Sequence, residues 1–320
     1  MWRCLLLALG LLGASAALAA AQDFPVRQVR IVVPQSPGGV TDVIARALVQ
    51  RLAEVWGQTV VVENKAGANY QIGAAAVAKA EPDGYTLLVM SEAFVITPLM
   101  SSKQSFDPKD FVPITGLISI NHALVANQSL PATNVQELIA LARSKPGEIN
   151  YATYGVGSTG HLNMEMFQGA AGVKLFAVHY KGATPALTDV IAGHVPMMFI
   201  SVGSVVEPWR SHKVKLLAIG SPRRLTQLPE VPTIAESGLP EFRAITWFGL
   251  FTTGGTPREI VAKINGDVQR VVAEPAFRER FLAPQMFEPI VSPPEKFAEF
   301  LRAETQKWGK VIRDANLKAD

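Results

Sequence analysis

VVPQSPGGVTDVIARAL, from Val32 to Leu48, changes character twice. A β-branched run stops at Pro34, a Pro-Gly-Gly turn follows, and a helical pattern opens at Thr41. Glycine adopts backbone angles that other residues avoid, and it leaves room for a close approach. The pair Gly38-Gly39 therefore has two readings: a turn that is merely tight, or a backbone that a ligand must reach. Upstream, "VRIVVPQ" reads as a strand. Downstream, "TDVIARALVQRLAEVWG" reads as a helix with apolar residues at Ile44, Leu48, Leu52 and Val55, Thr41 as N-cap and Gly57 as a left-handed C-cap.

The same alternation continues outward. "TVVVEN" is the next strand, "IGAAAVAKA" the next helix, and "PDGYTLLVM" a turn and a third strand. After turn-rich "SFDPKDFVPITGL" come a strand, "HALVANQS", and a helix, "NVQELIALARSKPG". "INYATYGVGSTGHL" repeats strand, glycine turn and helix, and "FAVHYKGATPALTDVIAGHV" does so again with Thr184 as N-cap and Pro185 first in the helix. "PMMFISVGSVVEPW" and "VKLLAIGS" read as strands around a turn. "ITWFGLFTT" is the last strand, and a C-terminal helix begins near Pro294. Alternating strands and helices imply βαβ units, so the fold class is α/β with mostly parallel sheets. A glycine turn between strand and helix in each half predicts two lobes, with both turns at the carboxyl ends of their strands, where open α/β sheets bind ligands.

Composition narrows the class. The chain has 320 residues, 48% hydrophobic and 18% charged, values of an ordinary globule. "MWRCLLLALGLLGASAALAA" places one charge, Arg3, before an apolar run from Leu5 to Leu12 and then small residues. This is a signal peptide over 1–21, too short in its apolar core to span a bilayer. Cleavage would remove Cys4, the only cysteine, and take Lys+Arg from 30 to 29 against 27 acids, a net charge of +2. An exported chain without disulfides needs a large core, and the bacterial periplasm fits better than a disulfide-rich secreted class. Later apolar runs are too short to cross a membrane, and the interspersed charges argue against nucleic acid.

The chemistry candidates lie in the turns. "GVGSTG", Gly155 to Gly160, matches a dinucleotide fingerprint, but "LFAVHY" stands where the supporting acid belongs, and no nucleotide or other cofactor is expected. The five histidines show no metal-ligand spacing. Ser158 and His161 invite a nucleophile and base, yet Val156 occupies the glycine position of a nucleophile elbow. Anion capture suits all the turns. The first N–H groups of a helix lack internal partners, and the helix dipole is positive there. Gly38-Gly39 and Gly155–Gly160 would admit a carboxylate, with hydroxyls at Ser36, Thr41, Ser158, Thr159 and Thr184 assisting. Asp42 complicates this, since its charge sits in the same first turn. It either points away from the anion or bonds a cationic or hydroxyl group of the ligand.

In the order and spacing of "VVPQSPGGVTDVIARAL", "GQTVVVENKAGANYQIGAAAVAKAEPDGYTLL", "INYATYGVGSTGHL", "VHYKGATPALTDVIAGHV", "VKLLAIGSPRR", "LPEVPTIAESGLPEF" and "WFGLFTTGGTP", the chain resembles the tripartite tricarboxylate transporter substrate-binding proteins, the Bug family. The resemblance covers the chain beyond the signal peptide. It implies a type II, Venus-flytrap periplasmic binding protein with lobes 22–123 plus 246–320 and 124–245, hinged near Asn121-His122 and Thr246-Trp247. It implies a monomer that closes on a small carboxylate, di- or tricarboxylic or aromatic, and delivers it to the transporter's membrane subunits. The ligand set so implied comprises Ser36, Gly38, Gly39, Thr41, Asp42, Tyr70, Gln71, Ser91, Tyr154, Gly157, Ser158, Thr159, His161, Lys181 and Thr184.

This chain departs from the family pattern at Gln35-Ser36, at Asn69-Tyr70 and at Ile200, where an acid is frequent. Loss of that acid argues against an amino-acid ligand, and Tyr70 with Phe94 suggests an aromatic acid. Two alternatives stay open: a secreted hydrolase using Ser158 and His161, and a binding protein that signals to a membrane kinase.

Overall fold

The computed structural model describes residues 24–68, 70–100 and 104–317. The expected signal peptide and Asn69 lie outside them. The chain divides into two compact units. One takes the described residues up to Ile118 with Trp247–Pro284 and Pro289–Thr305, and the other takes Ser119–Thr246, Gln285–Glu288 and Gln306 onward.

In the first unit, β1 (Val29–Val33), β2 (Val60–Asn64) and β3 (Thr86–Ser91) are parallel, with β1 in the middle. Helices α1 (Val40–Trp56) and α2 (Gln71–Ala78) connect them, and α3 (Ala93–Met100) follows β3. Antiparallel β9 (Ile245–Thr253) closes the far side of β3, pairing Leu88 with Phe251. The strands earn their places by burial on both faces, since Val29, Ile31, Val32, Val33 and Leu87 to Met90 are all buried. Ile44, Leu48 and Leu52 of α1 are buried as the spacing predicts, whereas Val55 is exposed. Gly57 ends α1 at φ 61°.

The second unit repeats this plan. Parallel β5 (Asn150–Thr153), β6 (Phe176–His179) and β7 (Met197–Ser201) again have the first strand in the middle. After α4 (Val135–Ser144), helices α5 (Thr159–Ala171) and α6 (Ala183–Ala192) connect them. The antiparallel neighbour of β7 is β4 (Phe111–Asn127), which also pairs with β8 (Val214–Ile219). One apolar cluster, with Leu124, Tyr151, Phe167, Phe199 and Phe242, contains residues of α5. Another, with Ala123, Met198, Ile200 and Val205, contains residues of α6 and α7 (Val202–Arg210).

Several local expectations need correction. The turn-rich reading of "SFDPKDFVPITGL" holds only to Asp110, because β4 begins at Phe111 and runs through Pro113. "VGSVVEPWR" is helix α7, not strand, since Val202, Val205 and Val206 fall on one buried face at helical spacing. Helix α1 starts at Val40 with Gly39 as N-cap, so Thr41 is a buried first-turn residue. Helix α6 starts at Ala183 after Gly182 (φ 152°), which places Thr184 inside the first turn. At the C-terminus, α8 (Arg258–Ala273), β10 (Phe287–Pro289) and α9 (Pro294–Asp314) follow. The last turns of α9 belong to the second unit, whereas the sequence suggested that 246–320 lay wholly in the first.

Candidate functional site

In each unit the chain leaves the central strand, builds a helix and a strand on one side, then crosses to build a strand on the other. That reversal makes the carboxyl end of the central strand a topological switch point, the usual ligand position in open α/β sheets. The segment Gln35–Gly39 follows β1, and Tyr154–Ser158 follows β5. Because each trio is parallel, the segments after its three strands emerge at one edge. In the first unit these carry Ser36, Gly38 and Gly39; Tyr70 and Gln71; and Ser91. In the second they carry Tyr154 to His161, then Lys181 and Thr184.

The first loop is clamped from inside. Asp42, buried, accepts hydrogen bonds from the Gly38 N–H (3.0 Å), Arg46 Nε (2.9 Å) and Asn64 Nδ2 (2.9 Å). Asn64 also donates to the Gln35 carbonyl (3.1 Å) and accepts from Arg46 (3.1 Å), tying the loop to the end of β2. The Arg46 hydrogen bond holds the Asp42 carboxyl at about 2 against the opposing effect of burial, with Gly38 and Asn64 adding to it. Asp42 is thus a clamp whose charge Arg46 balances, and its orientation is accounted for within the chain.

Gly38 (φ 93°) needs glycine for its backbone. Gly39 does not: its φ is −75°, and an added Cβ would meet only Gln35 Oε1, at an ordinary 3.7 Å. It is exposed, and no side chain caps the helix it begins. Neither its backbone angle nor its packing requires glycine there, although glycine is a favoured N-cap residue.

The second loop satisfies itself. The Gly157 N–H donates to His161 Nδ1 (3.1 Å), the Ser158 N–H to the Gly155 carbonyl (3.1 Å), and the His161 N–H to Ser158 Oγ (3.3 Å), which caps α5. Thr153 Oγ1 donates to the Gly155 carbonyl (3.1 Å) and lies 2.9 Å from Ser158 Oγ. A hydroxyl has one proton, so Ser158 is the donor in that second contact. Its proton is spent on Thr153 and not on the His161 ring, so the two do not form a nucleophile–base pair.

The His161 ring is buried. Nε2 lies 3.7 Å from Glu165 Oε1, which also accepts from Tyr151 Oη and Gln168 Nε2, both at 2.7 Å. The His179 ring stands edge-on at 5.1 Å. Burial pushes His161 below the usual imidazole range; Glu165 pulls it up and His179 adds to the depression.

The remaining predicted residues divide. Tyr70 is half-buried at φ 71° as the N-cap of α2. Gln71 Oε1 accepts from the Ser105 N–H (2.8 Å), and Ser91 Oγ from the Ala93 N–H (3.4 Å). Tyr154 is half-buried, and an added Cβ on Gly160 would strike its ring at 2.5 Å. Lys181 and Thr184 are exposed. Phe94 is no ligand platform: it is buried and stacks on Phe251 (4.1 Å between centroids) within a cluster with Phe106 and Phe111. Ile200 is likewise core, 2% exposed, so its replacement of an acid bears first on packing. The sequence reading missed Arg46, Asn64 and Glu165. Arg46 and Glu165 stand four residues after Asp42 and His161, a legible helical spacing; Asn64 becomes visible only once β1 and β2 are paired.

Glu165 and Gln168 also border a cavity of about 800 Å³ walled by Met166, Val173, Leu239 and Phe242. None of the predicted residues lines it. Among the described residues, no cluster of His, Cys, Asp and Glu could hold a metal, and no helix is long and apolar enough to cross a membrane.

The family model for the tripartite tricarboxylate transporter family receptor matches residues 44–317. The chain is 37% identical to the protein BugT of Bordetella pertussis, over 98% of each chain. Among solved structures it is similar to an R. palustris protein with adipate (34% identity, 92% of this chain and 99% of that one, TM-score 0.77). It is also similar to MatC of Rhodopseudomonas palustris with bound malate (32%, 90% and 100%, 0.72). A third is a TctC solute-binding protein from Polaromonas, solved without ligand (28%, 91% and 99%, 0.83). The Polaromonas neighbour is a solute-binding protein, and the other two structures hold adipate and malate. With matches of this extent, the chain belongs to the family of tripartite tricarboxylate transporter receptors.

Proposed function

We propose that the protein is a periplasmic receptor, not an enzyme, that captures a small carboxylate and presents it to the membrane subunits of a tripartite tricarboxylate transporter. Gly39 carries this reading. It is an exposed glycine that neither backbone angle nor packing requires, at the uncapped and electropositive start of α1. A carboxylate lying against those N–H groups explains why no side chain stands there. The loop after β5, at the equivalent switch point of the second unit, contributes to holding the ligand. Adipate and malate in the related structures support a dicarboxylate. The placement of Phe94 in the core removes half of the basis for an aromatic ligand, leaving Tyr70.

Thermal shift of the chain without its signal peptide against adipate, malate, citrate and benzoate tests this. A ligand at a hundredfold excess over Kd adds about 2.7 kcal/mol, a rise of a few degrees in Tm. Gly39→Ala, whose new Cβ meets only ordinary contacts, is expected to cost the unliganded protein no more than the N-cap preference for glycine, about 1 kcal/mol, while losing at least tenfold in carboxylate affinity. Unchanged affinity in that variant would remove the first loop from the site.

A further inference from the structure

Each glycine loop is closed by a side chain four residues on, but the two closures differ chemically. Asp42 accepts the Gly38 N–H as an anion, and His161 accepts the Gly157 N–H through a ring nitrogen. A backbone N–H can only donate. Nδ1 of His161 therefore carries a lone pair, and the ring proton sits on Nε2, toward Glu165. Adding a proton to Nδ1 would set two donors against each other at 3.1 Å, and the bond that shapes the loop would be lost.

We infer that His161 is a positioning residue whose unprotonated Nδ1 holds the Gly155–Ser158 loop in its receiving shape, so that protonating the ring releases the loop and weakens carboxylate binding. The inference rests on the receptor reading for its consequence, though not for the loop change itself. The surroundings of the ring are specific. On its own helix, Glu165 faces Nε2 and would welcome a charged ring, but its Oε1 is already shared by Tyr151 from β5 and Gln168. From β6, His179 stands edge-on to the ring and works against its protonation. The ring is buried behind these groups and sits below the usual imidazole range because of that burial. The loop is therefore held at neutral pH and yields in acid.

Two variants separate positioning from bulk. His161→Asn places an amide oxygen near the Nδ1 position, where it accepts the Gly157 N–H and cannot be protonated in this range. His161→Gln carries its amide toward the Nε2 position and leaves Gly157 without an acceptor. NMR of the unliganded protein reads the loop directly. The inference expects His161 to be the Nε2–H tautomer, and the Gly157 amide to titrate with the ring in the wild type but stay constant in His161→Asn. With adipate as probe, wild-type affinity should fall at least tenfold more between pH 7.5 and pH 5 than that of His161→Asn. The ligand's own ionisation is common to both and cancels. His161→Gln should bind weakly at both values. A proton on Nδ1, a Gly157 amide indifferent to the ring's titration, or equal pH slopes in the wild type and His161→Asn would overturn the inference. Failure of every carboxylate to bind any variant would instead strike the receptor reading, with the Gly157 titration still deciding the fate of the loop.

Discussion

The loops after β1 and β5 occupy equivalent places in two units of the same plan, yet they treat their hydrogen-bond donors in opposite ways. Both fold the glycine N–H back onto a side chain four residues later, Gly38 onto Asp42 and Gly157 onto His161. Beyond that, α1 begins uncapped at an exposed Gly39, whereas Ser158 caps α5 and spends its own proton on Thr153. A strand–glycine–helix unit thus offers anion-binding N–H groups only where its residues leave them unclaimed. The first loop leaves its helix start open, the second closes on itself, and by our inference the shape of the second depends on a neutral imidazole.

Acid should separate the loops, after one larger effect is removed. His122, buried beside Thr246 (Nε2 to Oγ1, 2.9 Å), is held at about 4 by burial. A histidine with a lowered folded pKa leaves the unfolded chain binding more protons. Its stabilisation is complete above the ordinary value of 6.5 and is lost as pH falls toward 4, about 3 kcal/mol in all. Urea unfolding of His122→Asn should show most of that acid loss gone. An undiminished loss would place the sensitivity elsewhere, with His161 next to be examined. The first loop should be indifferent over this range, because Asp42 remains an anion until pH approaches 2.

Removing Asp42 tests the clamp itself. Asp42→Ala strips Arg46, Asn64 and the Gly38 N–H of a shared acceptor. Water can replace it at exposed Gly38 but less well at its buried position beside Asn64, so a loss of about 2 kcal/mol is expected. Asp42→Asn, which keeps one oxygen, should lose less. Equal, negligible losses in both would mean that the first loop stands without its clamp and that the likeness to the His161 loop is superficial.

Much of this contrast was legible in residues, and some of it was not. The period changes around Pro34 and Gly155 predicted strand, turn and helix in both halves because burial on two faces demands β-branched runs and glycine breaks them. The spacing Asp42–Arg46 was equally open to reading. Thr41 and Thr184 misled because a hydroxyl near a helix start suggests a cap, while Gly39 and Gly182 hold those positions. Phe94 misled because an aromatic beside a site looks like a platform until Phe251 is found stacked on it. Asn64 depended on pairing β1 with β2, a long-range event that local pattern does not encode.

Ser158 gives the smallest effect and the sharpest test of whether the second loop can donate. As the cap of α5 it accepts the His161 N–H at 3.3 Å, a long bond, so Ser158→Ala should cost about 1 kcal/mol or less. Thr153 keeps its hydroxyl proton on the Gly155 carbonyl, and the Gly157–His161 bond, which does not involve the serine, should persist. Carboxylate affinity is accordingly expected to change less than threefold by calorimetry, because the hydroxyl proton already serves Thr153. A tenfold loss with the unliganded Tm nearly unchanged would mean that Ser158 abandons Thr153 when a carboxylate arrives. The second loop would then be a donor like the first, and the asymmetry would belong only to the empty receptor.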